Sequence, residues 1–491
     1  IYHVHIHAYA AYLLELLAVY HVVGGVAYAA GMSVRIARCY NGGANGLVAD
    51  KGSSVAYGCA GRQIWIIAAI FIVVGRKKNT TLSIRSSFVV VALSWISVSI
   101  YGALPLYLSG AIPDFTDAIF ESVSGFTTTG ATILSQIETL PRTINLWRCQ
   151  MHWLGGMGIV ALTVALLPIL GVGGFQLIKA ETTGPEKGKL TAKITTTAKA
   201  LWFIYVGMTA LQTVLLKLAG MDFIDALCHA FATLGTGGFS TKNASVGAFS
   251  SAAADWICTV FMFLAGINFS LYYYAITRKF QEIRENTELK AYIFINAAAI
   301  LLITLIESGT YKNIAESLRY AAFQVTSIIS TTGFATTDYT EWKPASQAVI
   351  FILFFIGGCS GSTAGGIKVI RWVILAKQLR NELLKTLHPH GIFTIRIDRR
   401  PGRKDIVFSV AAFVFIYMLV LAIATFTASL FGLDLLSSFT GALSMIGNIG
   451  PAFNALGPSC NYGFLPGLWF ASWLFADNSL SIFRRKNYLS N

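Results

Sequence analysis

Long apolar runs separated by short basic segments dominate the sequence. A membrane-spanning helix needs about 20 mostly apolar residues, and several runs have or approach that length. They cover residues 10–32, 62–75, 86–108, 147–172, 198–219, 253–277, 291–307, 345–376, 405–431 and 463–483. Of the 491 residues 55% are hydrophobic and only 12% are charged, about half the usual share of roughly 25%. The sequence therefore predicts an all-α polytopic membrane protein with about ten transmembrane helices.

The basic residues indicate the orientation of these spans. The formal net charge is +14, and most of the 37 Lys and Arg residues follow the even-numbered runs. If the spans alternate, these residues share one side, which the positive-inside rule assigns to the cytoplasm. Both chain termini are then predicted to be cytoplasmic. No basic cluster on a soluble face points to nucleic acid as a partner.

The reactive side chains form no pattern typical of an enzyme. The seven cysteines are scattered without a CxxC pair, so neither a zinc site nor a disulfide framework is predicted. His152 and His229 stand alone, without a matching carboxylate pattern. Catalysis would need a nucleophile with its base, or grouped metal ligands. The sequence therefore predicts a protein that is not an enzyme.

A shorter apolar stretch follows four of the spans on the predicted outer side. These stretches, of about a dozen residues, cover 114–126, 222–234, 317–329 and 434–446. They are too short to cross a bilayer and suit re-entrant helices. Each ends in a turn whose last glycine occupies the same offset, at Gly130, Gly238, Gly333 and Gly450. This is an internal repeat of helix, re-entrant pore loop and helix, present four times.

The composition of the four turns suits the coordination of a cation. A dehydrated cation needs oxygen ligands, which backbone carbonyls supply when an extended segment turns them to one side. Glycine permits the required dihedral angles, and threonine offers a hydroxyl besides its carbonyl. The alternative is that Thr and Gly are small residues packed against neighbouring helices. Four copies behind four short helices favour a selectivity filter around one central pore.

A glycine-rich segment interrupts the span at 345–376. Residues 357–368, here called the glycine-rich loop, contain five glycines, and each interior glycine costs a helix about 1 kcal/mol. The segment is predicted to break the helix as an intramembrane gate; a tight helix crossing built on small residues is the alternative. Lys368 is either the snorkelling end of a helix or a cation near the pore. The predicted gate residues are Gly357, Gly358, Gly361, Ser362, Thr363, Gly365, Gly366 and Lys368.

These motifs together resemble the Trk/Ktr/HKT superfamily of potassium transporters, specifically its bacterial TrkH type. The resemblance extends from about residue 84 to about residue 470 and preserves the order of the family's motifs. The motifs are TTTGAT at 127–132, GGMG at 155–158, GGFST at 237–241, STTGF at 330–334, GGCSGSTAGGIK at 357–368 and NIGP at 448–451.

The resemblance implies which residues coordinate potassium. The family's ion-coordinating positions correspond to Thr128, Thr129, Thr236, Gly237, Thr331, Thr332, Asn448 and Ile449, followed by Gly130, Gly238, Gly333 and Gly450. In the plant relatives a serine at a filter glycine accompanies sodium preference. All four positions are glycine here, which favours potassium uptake. A potassium symporter coupled to sodium or protons is the alternative, but no buried relay of ionisable residues is evident.

The resemblance also implies an assembly and a location. It implies a homodimer with one pore per subunit, in the bacterial cytoplasmic (inner) membrane and surrounded by lipid. A cytosolic TrkA-type regulatory subunit would bind nucleotide, and this chain would carry potassium without an organic cofactor. In the last span the sequence departs from the family, because Ser479 and Ser481 occupy the places of an Arg and a Glu.

The repeats divide the chain into five predicted parts. The first is an N-terminal extension of two helices, and four pore repeats follow, the third of which contains the gate. The predicted boundaries are 1–83, 84–178, 179–278, 279–385 and 386–491.

Overall fold

The computed structural model describes residues 84–158, 194–391, 393–398, 400–401 and 404–465. The predicted spans at 10–32 and 62–75, most of the span at 463–483, and the N-terminal extension 1–83 lie outside these residues. The described helices are α1 (Ile84–Leu108), α2 (Phe115–Phe126), α3 (Arg142–Gly156), α4 (Ile194–Leu218), α5 (Phe223–Gly235), α6 (Ala252–Ala265), α7 (Phe269–Ile276), α8 (Phe280–Glu285), α9 (Thr287–Ile306), α10 (Ile314–Ile329), α11 (Pro344–Leu353), α12 (Val369–Leu387), α13 (Lys404–Leu430) and α14 (Leu435–Gly447).

Within the described part of the chain, three helices are long and apolar enough to cross a membrane. They contain the segments Ala200–Leu218, Thr287–Ile306 and Ile406–Leu430. No more than 28% of each apolar segment is buried inside the protein, as expected for helices that face lipid. These segments agree with the predicted spans at 198–219, 291–307 and 405–431.

The span predicted at 253–277 is not a continuous helix. It consists of α6 and α7, which are bent by 92° relative to each other. Gly266 ends α6, and the Asn268 side chain caps α7 by accepting a hydrogen bond from the Ser270 amide at 2.8 Å. A glycine followed by a good N-cap residue favours a break. Hydropathy alone does not detect it, because the flanking residues are uniformly apolar.

The four predicted short stretches are all helical, as α2, α5, α10 and α14. Three of them begin at a side-chain cap. Asp114, Asn313 and Asp434 each accept a backbone amide hydrogen bond at their helix N-terminus. Such caps contribute about 1 kcal/mol each and fix where each short helix starts.

The short helices pack against the long helix that precedes them in the chain. The packed pairs are α1 with α2, α4 with α5, α9 with α10, and α13 with α14. The helices that follow connect neighbouring units, since α3 packs on both α2 and α5 and α6 packs on both α5 and α10. The C-terminal ends of the short helices are thereby brought to one region.

The span predicted at 345–376 is broken, in agreement with its glycine content. Helix α11 ends at Leu353 and α12 begins at Val369, with the glycine-rich loop between them. The basic segment predicted as a loop over 377–404 is largely ordered instead. Helix α12 continues to Leu387, since residues 377–387 are mostly good helix formers. An antiparallel hairpin follows, made of β1 (Arg396–Ile397) and β2 (Arg400–Pro401).

The glycines of α3 give a test of this packing. A Cβ atom on Gly155 would overlap the carbonyl oxygen of Phe126 at the end of α2. We expect Gly155→Ala to lower the free energy of unfolding by about 1–3 kcal/mol, as overpacking does. Denaturant unfolding in detergent measures this change.

Gly207 in α4 is the matched control, because a Cβ there would meet no atom within 4 Å. Gly207→Ala should raise the free energy of unfolding by about 0.5–1 kcal/mol through backbone entropy. Equal effects of the two substitutions would contradict the packing of α3 on α2.

Candidate functional site

The four short helices end in the same hydrogen-bonded turn. After α2, the Thr128 amide donates to the Gly125 carbonyl at 3.3 Å, and the Thr129 amide donates to the Ser124 carbonyl at 2.9 Å. This pair of bonds is a Schellman motif. The corresponding donor pairs after α5, α10 and α14 are Thr236 and Gly237, Thr331 and Thr332, and Asn448 and Ile449. The repeated offset in the sequence therefore corresponds to a repeated backbone conformation.

The first residue of each turn has a left-handed backbone. The φ angles are 58° at Thr128, 55° at Thr236, 55° at Thr331 and 58° at Asn448. Glycine usually occupies this position of a Schellman motif, and a β-branched residue there is uncommon. Such a conformation costs about 1–3 kcal/mol and tends to occur at functional sites. Three threonines at equivalent positions thus mark these turns as a candidate site.

The last glycines of the turns connect the four segments in a closed order. A Cβ atom on Gly130 would overlap the carbonyl of Gly237, and one on Gly238 would overlap the carbonyl of Thr332. A Cβ on Gly333 would meet the carbonyl of Ile449. At Gly450 it would meet the carbonyl of Thr129, which returns to the first segment. Residues 127–130, 235–238, 330–333 and 447–450 therefore form one ring, called the ring below.

A side chain reinforces the contact between the fourth and first segments. The Asn448 amide group donates to the Thr127 carbonyl at 2.6 Å and to the Thr129 hydroxyl at 3.2 Å. The threonine, asparagine and glycine residues predicted for the filter therefore lie together. All twelve belong to this ring, namely Thr128, Thr129, Gly130, Thr236, Gly237, Gly238, Thr331, Thr332, Gly333, Asn448, Ile449 and Gly450.

Opposite segments of the ring carry similar side chains. In the first segment the hydroxyls of Thr127 and Thr129 lie 2.8 Å apart. In the third, the hydroxyls of Ser330 and Thr332, at the equivalent positions, lie 2.7 Å apart. The second and fourth segments have no hydroxyl at these two positions. The ring therefore has approximate two-fold character in its side chains.

The backbone of the ring is suited to present oxygen atoms. In each segment a left-handed residue is followed two positions later by a left-handed glycine, with φ between 79° and 96°. Alternating handedness allows successive carbonyl groups to point to one side. The carbonyl ends of four helices also converge here and carry partial negative charge. An arrangement of this kind can replace the hydration shell of a cation.

A buried ion pair lies beside the ring. The Arg148 guanidinium in α3 and the Glu121 carboxylate in α2 are 2.7 Å apart, and neither side chain is exposed. Glu121 also accepts the Thr132 hydroxyl at 2.9 Å, and Arg148 lies over the Phe239 ring. The pair therefore joins the chain segments that follow the first two ring turns.

This ion pair was not predicted from the sequence, in which no buried ionisable relay was evident. A usable signal was present, because Glu121 lies in an apolar short stretch and Arg148 in a predicted span. Charged residues at such positions are expected to have partners. The two histidines are also structural. His152 hydrogen-bonds the Gly125 carbonyl, and His229 hydrogen-bonds the Asp225 carbonyl and the Ser240 hydroxyl.

The glycine-rich loop lies against the ring. The Gly365 amide donates to the Thr331 hydroxyl at 2.6 Å, and a Cβ on Gly365 would overlap the Gly447 carbonyl. The absence of a side chain at Gly365 thus permits this close approach. Lys368 is 3% exposed, and its ammonium group donates to the Ala364 carbonyl. A buried lysine does not fit the snorkelling interpretation.

The loop also lies in the bend between α6 and α7. The Cys359 amide donates to the Gly266 carbonyl at 2.8 Å, and the Phe269 amide donates to the Gly361 carbonyl at 3.0 Å. These bonds satisfy backbone groups that the broken helix leaves without intrahelical partners. The break in α6–α7, which the sequence did not predict, therefore forms part of the binding site for the loop.

The apolar helices indicate an integral membrane protein. The closed ring of backbone turns is typical of a site at which oxygen atoms coordinate a cation. A family model described as "TrkH: Cation transport protein" matches residues 61–462. The chain therefore belongs to the TrkH family of cation transport proteins, which are not enzymes.

Several characterised relatives are similar over most of their length. The chain is 39% identical to the Trk system potassium uptake protein TrkH of Halomonas elongata, over 83% of this chain and 84% of that protein. It is 37% identical to the Trk system potassium uptake protein TrkH of Escherichia coli K12, over 82% and 84%. The crystal structure of the potassium transporter TrkH from Vibrio parahaemolyticus matches with a TM-score of 0.78 and 31% identity, over 97% of this chain and 98% of that one.

The buried ion pair beside the ring gives a second prediction. Glu121→Gln would leave the Arg148 charge buried without its partner, so we expect a loss of about 3–5 kcal/mol in the free energy of unfolding. The double variant Glu121→Leu/Arg148→Met should lose much less, because no buried charge is left unpaired. Denaturant unfolding of the three proteins in detergent tests this order.

The exposed pair Arg142–Asp222, at 3.2 Å, is the matched control for Glu121→Gln. Asp222→Asn should cost no more than about 1 kcal/mol. If the double variant is less stable than Glu121→Gln, the loss of stability comes from losing the ion pair, and not from leaving the Arg148 charge without a partner.

Proposed function

We propose that this protein takes up potassium across the bacterial cytoplasmic (inner) membrane. The observation that carries the proposal is the closed ring of four turns, each with a left-handed residue and a left-handed glycine. The names of its relatives, which are potassium uptake proteins, support the same ion. Potassium is the transported substrate, and no organic cofactor is assigned to this chain.

The proposed filter consists of the ring residues. Carbonyl groups of Thr128, Thr236, Thr331 and Asn448, and those of the residues that follow them, replace the water shell of potassium. The ring glycines keep neighbouring segments in contact, since any side chain there would meet a carbonyl of the next segment. Glycine at all four positions supports potassium over sodium, as the sequence resemblance implied.

The glycine-rich loop is the proposed gate. Its contact with the Thr331 hydroxyl and its approach to Gly447 place it at the ring. Removal of the loop from the ring would open a path for the ion. The proposed gate residues are those predicted from the sequence, with Lys368 as a buried cation at the end of the loop.

The proposed architecture of the whole chain includes more helices than those described above. We propose about ten transmembrane helices with four re-entrant pore loops, in four repeats bounded at 84–178, 179–278, 279–385 and 386–491, after the extension 1–83. Four short helices that end in the same hydrogen-bonded turn support the repeats. Both termini are proposed to be cytoplasmic, in agreement with the distribution of basic residues.

The proposed assembly is a homodimer with a cytosolic TrkA-type regulatory subunit that binds nucleotide. The printed name "Trk system" of the relatives supports further components. The basic residues of α12 and of the hairpin lie on the predicted cytoplasmic side and offer a docking surface for an acidic partner. Lipid surrounds the exposed apolar helix faces.

A symporter coupled to sodium or protons is the alternative function. Such a mechanism would need ionisable groups that change partners during transport. Glu121 and Arg148, which lie beside the ring, are bound to each other and to fixed hydrogen-bond partners. This supports a positioning role for the pair and favours passive, gated flux.

Isotope flux into proteoliposomes tests the filter. Purified protein should carry rubidium down an imposed gradient, with competition by potassium and less by sodium or lithium. Gly130→Ser and Gly333→Ser should each lower rubidium flux by at least about tenfold, or admit sodium, because the added atoms displace a neighbouring carbonyl by steric overlap.

Gly110 provides the matched control for these variants. It also has a left-handed backbone, with φ of 73°, but a Cβ there would meet no atom within 4 Å. Gly110→Ser should therefore retain rubidium flux and selectivity. Flux that is unchanged in Gly130→Ser and Gly333→Ser would refute the filter assignment.

A further inference from the structure

One carboxylate binds two backbone amides, one within the glycine-rich loop and one just after it. Glu288 lies in the first turn of α9, and its Oε1 atom accepts the Ser360 amide at 2.7 Å and the Ile370 amide at 3.1 Å. Ser360 lies in the first half of the loop, and Ile370 lies just beyond its end. A single oxygen atom thus connects two backbone positions that are ten residues apart.

The setting of Glu288 strengthens these two bonds. Its side chain is 6% exposed, so water competes weakly for the carboxylate. Hydrogen bonds to an ionised acceptor are about twice as strong as neutral ones. The charge of Lys368, which closes the loop, also acts on Glu288. These contacts hold the loop at Ser360, whereas Thr331 binds it at Gly365.

The residue before Glu288 is bound to the cytoplasmic hairpin. The Thr287 amide donates to the Asp398 carboxylate at 2.7 Å, and the Asp398 amide donates to the Thr287 hydroxyl at 3.2 Å. Asp398 follows β1 directly, in the turn of the hairpin. Ile397 beside it is buried against Ile370 and Ile374 of α12. The hairpin therefore contacts both the start of α9 and the start of α12.

We infer that Glu288 is a positioning residue that clasps the glycine-rich loop in its ring-contacting conformation, and that Asp398 links this clasp to the cytoplasmic hairpin. The inference rests on the proposed function of the loop as a gate. Displacement of the hairpin would move Thr287 and shift the carboxylate of the adjacent Glu288. Both backbone amides that this carboxylate binds would then be released. The hairpin is then the element through which a cytosolic partner controls the pore.

Cys359 in the loop provides a direct reporter of this clasp. Its thiol is buried, with 1% exposure, so a maleimide reagent reacts only when the loop moves. We expect Glu288→Gln to accelerate labelling of Cys359 by about tenfold, because the charged acceptor is lost. The measurement uses the full chain in proteoliposomes, with the other cysteines replaced by alanine.

Two further variants refine the test. Glu288→Asp keeps the charge on a shorter side chain. Its rate of Cys359 labelling should lie between those of the wild type and Glu288→Gln. Asp398→Gly removes the carboxylate and suits the left-handed backbone at this position, with φ of 49°. It should accelerate labelling by about threefold, in the range of mutations that alter coupling between sites. Its effect should be smaller in the Glu288→Gln background, since both act through the same contact.

Glu282→Gln is the matched control, because Glu282 is exposed and lies in α8, six residues before Glu288. It should label like the wild type. In the chain with its native cysteines, Glu288→Gln should also raise rubidium leak while the preference for rubidium over sodium stays unchanged. A merely destabilised protein would lose that preference together with its flux.

The outcomes separate this inference from the proposed function. Unchanged Cys359 labelling and unchanged leak in Glu288→Gln, with normal rubidium flux, would overturn the clasp and leave the filter intact. Acceleration by Glu282→Gln equal to that by Glu288→Gln would overturn it as well. Accelerated labelling in a protein without rubidium flux would support the clasp and reject the proposed transport function.

Discussion

The contact between a glycine of one ring segment and a carbonyl of the next is the constraint on which the structure depends. It occurs at Gly130, Gly238, Gly333 and Gly450, and it requires four separate chain segments to arrive at one place with the same backbone conformation. Three groups of helices produce that convergence. They are the short helices that carry the turns, the long helices on which these pack, and α3 and α6, which connect neighbouring units. A backbone ring of this kind could not form in contact with lipid, because its polar groups would lack partners.

The ring residue Thr331 accepts a hydrogen bond from the glycine-rich loop. Its backbone takes the left-handed conformation that shapes the third ring segment, and its hydroxyl accepts the Gly365 amide of the loop. Movement of the loop therefore changes the hydrogen bonding of a ring residue directly. The conformation of the ring and the position of the loop are coupled by contact, without an intervening element.

The sequence predicted the repeated features and the break at the glycine-rich loop, and it missed several other features that occur once. The four glycine-ended stretches could be found because the same offset recurs, and repetition distinguishes a signal from chance. The resemblance to the family then implied the twelve ring residues. The break at Gly266 and the Glu121–Arg148 pair involve partners more than 20 residues away, and the hairpin at 396–401 is bound through Asp398 to Thr287 of α9. A local pattern, such as Gly266 followed by Asn268 or a charged residue in an apolar run, can indicate a break or a buried partner. It does not identify the distant residue that is bound.

Two charged sites in the described part of the chain differ in what they bind. Arg148 and Glu121 neutralise each other and join the chain segments that follow the first two ring turns, so their energetic cost is offset by a partner of opposite charge. Glu288 instead binds backbone amides of a segment that must move. Backbone amides carry no net charge, so such bonds can be exchanged for bonds to water without leaving a second charge exposed. A carboxylate on amides is thus better suited to a reversible clasp than an ion pair would be.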